Sequence, residues 1–309
     1  MRHRSLSAWV NQIRPHQLVH QCAVLVVMSG FLSAPGGRIA SAAALAVLGT
    51  LAMLLLSDYQ HRHDDAAMGR RRLVQHLGPD AVLRIAVAAV AALLGFAVAI
   101  GGLRCLAAVV GVAAGTGLYT IAKKRRRAIP SYLGRFVAGV MLVETYAATF
   151  PELEPPGGAL RFALAAGALD VAGNLAGDLR DVVSDRRAGL RTLPLLCPPP
   201  WTRGAIAGLV TLAHVVMLGE LPTLVAVVSW GACAGAALFV LPVVSRRYMH
   251  AAIHGPKLAC LLALGCGFER QGPALAIAAS VMVAWAFGYA AYLWSAVACD
   301  AVGQEEHRA

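Results

Sequence analysis

The stretch "SDYQHRHDDAAMGRRRL" occupies residues 57–73, at the end of a long apolar run. A second stretch, "DLRDVVSDRRAGLRTL", occupies residues 178–193. Setting Asp58 against Asp178 brings His61 onto Asp181, Asp65 onto Asp185, Gly69 onto Gly189, Arg71 onto Arg191 and Leu73 onto Leu193. The shared pattern is D-x2-[HD]-x3-D-x3-G-x-R-x-L. One copy alone reads as a solvated loop at a membrane surface. Two copies in register, each where an apolar run ends, argue for a shared chemical task.

That task is legible in the residue types. Residues four apart share a helix face, so Asp181 and Asp185 project together, with Asp178 one turn before. Clustered carboxylates repel one another unless a cation sits among them. Oxygen-rich acidic sets suit magnesium, which takes one or two carboxylates plus waters and substrate phosphates. The metal candidates are therefore Asp58, Asp65, Asp178, Asp181 and Asp185. Gly69 and Gly189 permit a tight turn. Arg71 and Arg191 are placed to return as bidentate phosphate ligands. Two such sets facing each other would clamp a diphosphate. A third segment, "LYTIAKKRRRAIPSYLG" at 118–134, carries Tyr119 and Lys123 four apart, with Lys123 the stronger phosphate candidate. Its run of five basic residues otherwise suits anionic lipid.

The elements that must position these residues are membrane helices. The chain has 309 residues, 58% hydrophobic and only 14% charged, with mean hydropathy +0.65. Apolar runs of about 17–25 residues recur, each long enough for a hydrocarbon core. The expected spans are 18–35, 39–57, 81–102, 103–122, 129–149, 159–177, 204–219, 222–245 and 271–295, with 250–268 open between a tenth span, a re-entrant piece and an interfacial helix. In lipid each span must be helical, because no water satisfies its backbone. The formal charge of +11 does not indicate nucleic acid, because 21 of the 27 basic residues fall on one set of loops. By the positive-inside rule that set is cytoplasmic, together with the N-terminus and both motifs.

Polar residues inside spans are functional candidates: Arg135 and Glu144, Asp170 and Asn174, and His214. Arg135 and Glu144 are nine apart, too far for a direct pair along one helix. Asp170, Asn174 and Asp178 are spaced by four and form one polar stripe leading to the acidic cluster. His214 reads first as a satisfied packing residue. No cleavable signal peptide is evident. The seven cysteines form no C-x2-C pair and read as reduced packing residues. A single membrane domain over 1–309 is expected, with a polar segment at 1–17 and a frayed tail at 300–309.

The second motif, "DLRDVVSDRRAGLRTLP", resembles the second aspartate-rich motif of the UbiA superfamily of membrane prenyltransferases. "RP" at Arg14–Pro15, "YTIAKK" at 119–124 and the span count fit as well. The resemblance implies an all-α bundle of about nine transmembrane helices around a lateral cavity. It implies a Mg2+-dependent enzyme that ionises an isoprenyl diphosphate and transfers the prenyl group to an acceptor, often an aromatic ring. Asp178, Asp181 and Asp185 match the family pattern. The first motif departs from N-D-x-x-D-x-x-x-D: Ser57 and His61 stand where Asn and the middle Asp are usual, while Asp58 and Asp65 remain. His61 is then a poor Mg2+ ligand and a candidate phosphate donor or base. Asn174, Tyr119, Lys123, Arg71 and Arg191 are the expected diphosphate contacts. Two further readings stand beside this one. A terpene cyclase of the same superfamily would quench the cation intramolecularly, using aromatic faces such as Phe136, Tyr146, Phe150 and Trp230. A transporter or lipid-binding protein would place its polarity at the midplane rather than at one face. The expected partners are an isoprenyl diphosphate, an aromatic acceptor and the lipid bilayer, with no nucleic acid and no protein partner. The expected location is the plasma membrane, as a multi-pass protein.

Overall fold

The computed structural model describes residues 9–10, 13–32, 36–67, 72–150, 157–187, 189–218, 223–244, 252, 254–259, 262 and 281–293. Among them there is no strand. Arg71, Gly69, the tail 300–309 and most of the segment 1–17 lie outside the described residues, as do the side chains of Asp64 and Asp65.

The chain forms α1 (Pro15–Leu32), α2 (Gly36–Gln60), α3 (Arg62–Ala67), α4 (Leu73–Leu77), α5 (Pro79–Lys124), α6 (Ala128–Ala147), α7 (Gly157–Arg187), α8 (Leu193–Leu196), α9 (Pro199–Val216) and α10 (Thr223–Gly235). A single π turn, Ala236–Val240, continues α10. Two further helical pieces are α11 at 254–259 and α12 at Val281–Leu293. Proline opens α1, α5 and α9 at or next to the first helical position, where its missing N–H has no partner to lose. Three helices are long and apolar enough to cross a bilayer by length and composition: Gly36–Gln60, Pro79–Lys124 and Gly157–Val183. The described part of 250–268 is helical.

Helix α5 resolves the expected pair 81–102 and 103–122 in a specific way. Its 46 residues at 1.5 Å each reach roughly 70 Å, twice a hydrocarbon core. Gly102 breaks it with φ 62 and ψ −155, a backbone that glycine alone adopts cheaply. The chain reverses there. Val82 and Ala86 pack with Leu55, Leu73 and Val74 beside the first motif, and Lys123 at the other end meets the second. Between them, Ile100 O accepts from Arg38 at the opposite end of α2, and Gly101 lies against the Ala148 carbonyl. Both motif-bearing ends therefore share one face of the bundle.

Small residues bring α5, α6 and α7 into backbone contact. A Cβ on Gly115 would lie 2.7 Å from the Gly134 carbonyl oxygen, and one on Gly139 would lie 2.8 Å from the Gly167 Cα. Lipid supplies no hydrophobic drive between helices, so close van der Waals packing of this kind holds them. The main core is correspondingly rich in alanine, with Tyr146, Phe150 and Phe162 as its large members. Large side chains such as Ile129, 83% exposed, and Phe287, 74% exposed, point outward.

Candidate active site

The acidic cluster forms where α5 and α6 meet the C-terminal end of α7. Lys123 is one residue from the end of α5 and places its Nζ 2.8 Å from Asp178 Oδ1 and 3.3 Å from Asp185 Oδ2. Tyr132 Oη donates to Asp178 Oδ2 at 2.7 Å and accepts from the Leu193 N–H at 3.1 Å. The tyrosine thereby ties α6 to the loop behind the second motif. Asp178 and Asp185 are buried. Burial holds the Asp185 carboxyl above its usual range, and neighbouring Asp178 and Asp181 add to that against the pull of Lys123. A site in this state favours additional positive charge.

The pair that shares a cation is not the one expected from four-residue spacing. Asp181 instead receives Arg180 through Nε at 2.8 Å and Nη2 at 2.6 Å. Helix geometry gives the reason. Seven residues return to within about 20° of the starting direction, so Asp178 and Asp185 align while Asp181 is turned aside. The polar stripe also differs from expectation at its middle. Asn174 Nδ2 donates to its own helix, at the Asp170 carbonyl 2.8 Å away.

The first motif is held by the segment before α1. Asp58, in the last turn of α2 and 1% exposed, takes Arg14 Nη2 at 3.2 Å. Arg14 has φ 46, a left-handed conformation that costs a non-glycine residue about 1–2 kcal/mol, so its backbone is constrained where it meets Asp58. His61 lies in the turn after α2. Tyr292 of α12 lies within electrostatic reach of Arg72 at the first motif, of Arg14 and of Arg180 in the second. Tyr292 also packs on His16, with ring centroids 4.6 Å apart.

Gly189 adopts φ 65, as the turn requires. A side chain there would meet the Arg126 guanidinium at 3.0 Å. Arg126 is itself left-handed, φ 60. It closes α5 in a Schellman turn, with the Arg127 N–H on Ala122 O at 2.8 Å and the Arg126 N–H on Lys123 O at 3.1 Å. Arg191 is exposed after this turn. Tyr119 has the Lys123 ammonium 5.9 Å and the Arg135 guanidinium 5.4 Å from its ring centre.

Sequence reasoning did not single out Tyr132, Arg180, Arg126 or Tyr292, and it quoted Arg14 only for its dipeptide. Their partners lie on other helices, so spacing along the chain carries no signal for them. His214 proves a packing residue that bridges the Val210 carbonyl and Ser229 Oγ. Glu144 pairs with Arg104 and Arg135 with Asp170, in keeping with the nine-residue gap between them. Of the aromatics considered for a cation, Tyr146 and Phe150 are buried in the main core and Phe136 packs against it. Trp230 is partly exposed and donates to Thr211.

Among the described residues no three His, Cys, Asp or Glu side chains gather closely enough to hold a metal by themselves. The donors present nevertheless fit Mg2+. Asp185 Oδ2 is buried with the Lys123 ammonium 3.3 Å away, and Asp178 faces the same lysine. Two hard oxygen donors with the remaining positions left to phosphate is this ion's usual habit.

None of the curated proteins matches the chain. Solved structures do. A UbiA homolog from Aeropyrum pernix K1, 18% identical, superposes with TM-score 0.62 over 82% of this chain and 97% of its own. A UbiA homolog from Archaeoglobus fulgidus bound to GPP and Mg2+ is 15% identical, with TM-score 0.56 over 94% and 99%. A digeranylgeranylglyceryl phosphate synthase is 12% identical, with TM-score 0.57 over 94% and 98%. At these identities the likeness is one of fold. The family model of the UbiA prenyltransferase family matches residues 22–261, which include both aspartate motifs and the Tyr119–Lys123 helix end. The chain belongs to the UbiA prenyltransferase family.

Proposed function

We propose that the protein is a Mg2+-dependent intramembrane prenyltransferase, taking an isoprenyl diphosphate and an aromatic acceptor inside a nine-span bundle with both motifs on the cytoplasmic side of the plasma membrane. The observation that carries this reading is Lys123 set between Asp178 and Asp185, with Tyr132 holding Asp178, on the face that also holds Asp58. The Archaeoglobus fulgidus homologs bound to GPP or DMAPP with Mg2+ support it by analogy.

In this reading Asp178 and Asp185, together with Asp58 and Asp65 of the first motif, would hold the metal, which would offset the charge of the departing diphosphate. Lys123 releases the carboxylates and turns to a phosphate oxygen. Arg14, Arg72 and Arg180 add positive charge around the leaving group. The allylic C–O bond breaks with its electron pair going to the diphosphate. A ring carbon of the acceptor takes the cation, and the displaced ring proton leaves to the diphosphate or to water. Tyr132 keeps Asp178 in place throughout.

A cyclase is the second reading. It is favoured by the stack of Trp285 on Tyr289, 5.4 Å between centroids, next to His16 and Tyr292. Such faces stabilise a migrating cation. One experiment separates the two. Purified protein is incubated with geranyl, farnesyl and geranylgeranyl diphosphates and Mg2+, with and without an aromatic acceptor, and the products are identified. Turnover that waits for the acceptor supports transfer. A cyclic hydrocarbon formed without acceptor supports the cyclase instead.

A further inference from the structure

We infer that the abutting C-terminal ends of α5 and α7 form a binding site for the phosphate headgroup of an anionic membrane lipid, beside the acidic cluster and independent of which prenyl reaction the protein performs.

The two helices end alike. At the end of α5 the Arg127 N–H donates to Ala122 O and the Arg126 N–H to Lys123 O. At the end of α7 the Leu190 N–H donates to Asp185 O at 2.9 Å and the Gly189 N–H to Arg186 O at 3.1 Å. Both are Schellman turns, with left-handed Arg126 and Gly189 at matching positions. The Arg126 guanidinium lies against Gly189, in space that any side chain there would enter. The basic loop after α5 therefore rests on the end of α7.

This contact gathers positive charge that nothing nearby cancels. Lys124, Arg125, Arg126 and Arg127 are exposed, and so are Arg186 and Arg187. No Asp or Glu occurs between Asp80 and Glu144, nor between Asp185 and Glu220. The neighbouring carboxylates of Asp185 and Asp181 are taken by Lys123 and Arg180. Each helix C-terminus carries about half a negative charge, so the two ends offset about one of these six cations. The positive-inside rule explains basic residues on this side of the membrane. It does not explain their crowding onto two helix ends in contact. A phosphate does, because guanidinium groups hold its oxygens through paired, charge-assisted hydrogen bonds.

The rim of the patch identifies the source of that phosphate. Ile129 and Leu133 follow the basic loop on α6 and are exposed. Leu196, at the end of α8, and Trp201, in the first turn of α9 and 74% exposed, follow the second basic pair. A soluble phosphate has no use for such a rim. A lipid brings acyl chains with its headgroup, and tryptophan favours the level where the two meet. The occupant that satisfies both features is a glycerophospholipid of net negative charge. Its headgroup would tie the end of α5, which carries Lys123, to the end of α7, which carries Asp185.

The test measures lipid binding. Full-length protein in a neutral detergent is titrated with dioleoylphosphatidylglycerol or with dioleoylphosphatidylcholine, and bound lipid is counted by native mass spectrometry. Each basic residue near an anionic headgroup strengthens binding about fivefold. Wild type should therefore prefer phosphatidylglycerol, and the triple variant Arg125→Gln, Arg127→Gln, Arg187→Gln should lose about a hundredfold of that preference. The same three positions changed to lysine should keep most of it. Phosphatidylglycerol should also raise the melting temperature of wild type and not of the glutamine variant. Equal binding of the two lipids by wild type overturns the proposal and leaves the cluster a topological signal alone. So does an unchanged preference in the glutamine variant. Should that variant fail to fold, Arg187→Gln alone takes its place, with a fivefold loss expected, and no loss there overturns the proposal. Two competitors separate other sources of the charge. Displacement of the lipid by millimolar inorganic phosphate would assign the patch to a soluble anion. Displacement one for one by inorganic diphosphate would make it part of the prenyl donor's site. Either result overturns the lipid assignment.

Discussion

Lys123 is the hinge of the site at the scale of single residues. Its ammonium occupies the space between two carboxylates that a divalent ion would also suit. Lys123→Met should therefore destabilise the metal-free protein by about 3–5 kcal/mol, the usual cost of stranding buried charge. Added Mg2+ should then narrow the melting-temperature gap to wild type. A gap unaffected by Mg2+ would argue against metal binding between Asp178 and Asp185. Asp185→Ala should lower the initial rate at least about a hundredfold while the protein still elutes as a folded species. Retention of a tenth of wild-type activity would remove Asp185 from the metal site. His61→Asp addresses the first motif. If that motif holds metal, a restored carboxylate should lower the Mg2+ midpoint of the rate and keep activity. Loss of rate at every Mg2+ concentration would instead assign His61 to phosphate or to proton transfer. The sequence marked all these residues because their types are conspicuous in an apolar chain. It did not mark Tyr132 or Arg14 as partners, because each meets its aspartate across more than 40 residues.

At the scale of elements, two left-handed arginines frame the motifs. Arg126 stands at the position of a Schellman turn that glycine usually fills, and its guanidinium covers Gly189. Arg126→Gly should raise stability by about 1 kcal/mol by relieving the backbone, yet raise the KM for the prenyl diphosphate if the guanidinium orders the Gly189 turn. A KM that does not move would confine Arg126 to capping α5. Gly189→Ala should lose about 1–2 kcal/mol from its positive φ, with the added methyl also pressing on Arg126. Thermal melting and initial rates read both variants. The tight turn at Gly189 was legible from the repeat alone. The reversal at Gly102 was legible only as a boundary between two apolar runs. Its form, two helices meeting at one positive-φ glycine, depends on contacts with Ala148 and with Arg38 of other helices.

Whole-molecule topology follows from charge. The exposed loop Arg125–Arg127 should be cut by trypsin in inside-out vesicles and protected in right-side-out ones. The reverse pattern would invert the proposed orientation. Composition, run length and basic-residue placement determined by themselves that this chain is an all-helical membrane protein with two related acidic segments at helix ends. The reason is that lipid leaves a helix as the way to satisfy a spanning backbone, and charge is costly anywhere but the ends. Tertiary structure alone decided which charges meet. Asp178 joins Asp185 rather than Asp181 because two helical turns realign a side chain and Lys123 approaches from α5. Arg135 joins Asp170 because glycines let α6 and α7 touch. Pairing across helices depends on interhelical distance and rotation, and neither is written in the spacing of residues along one chain.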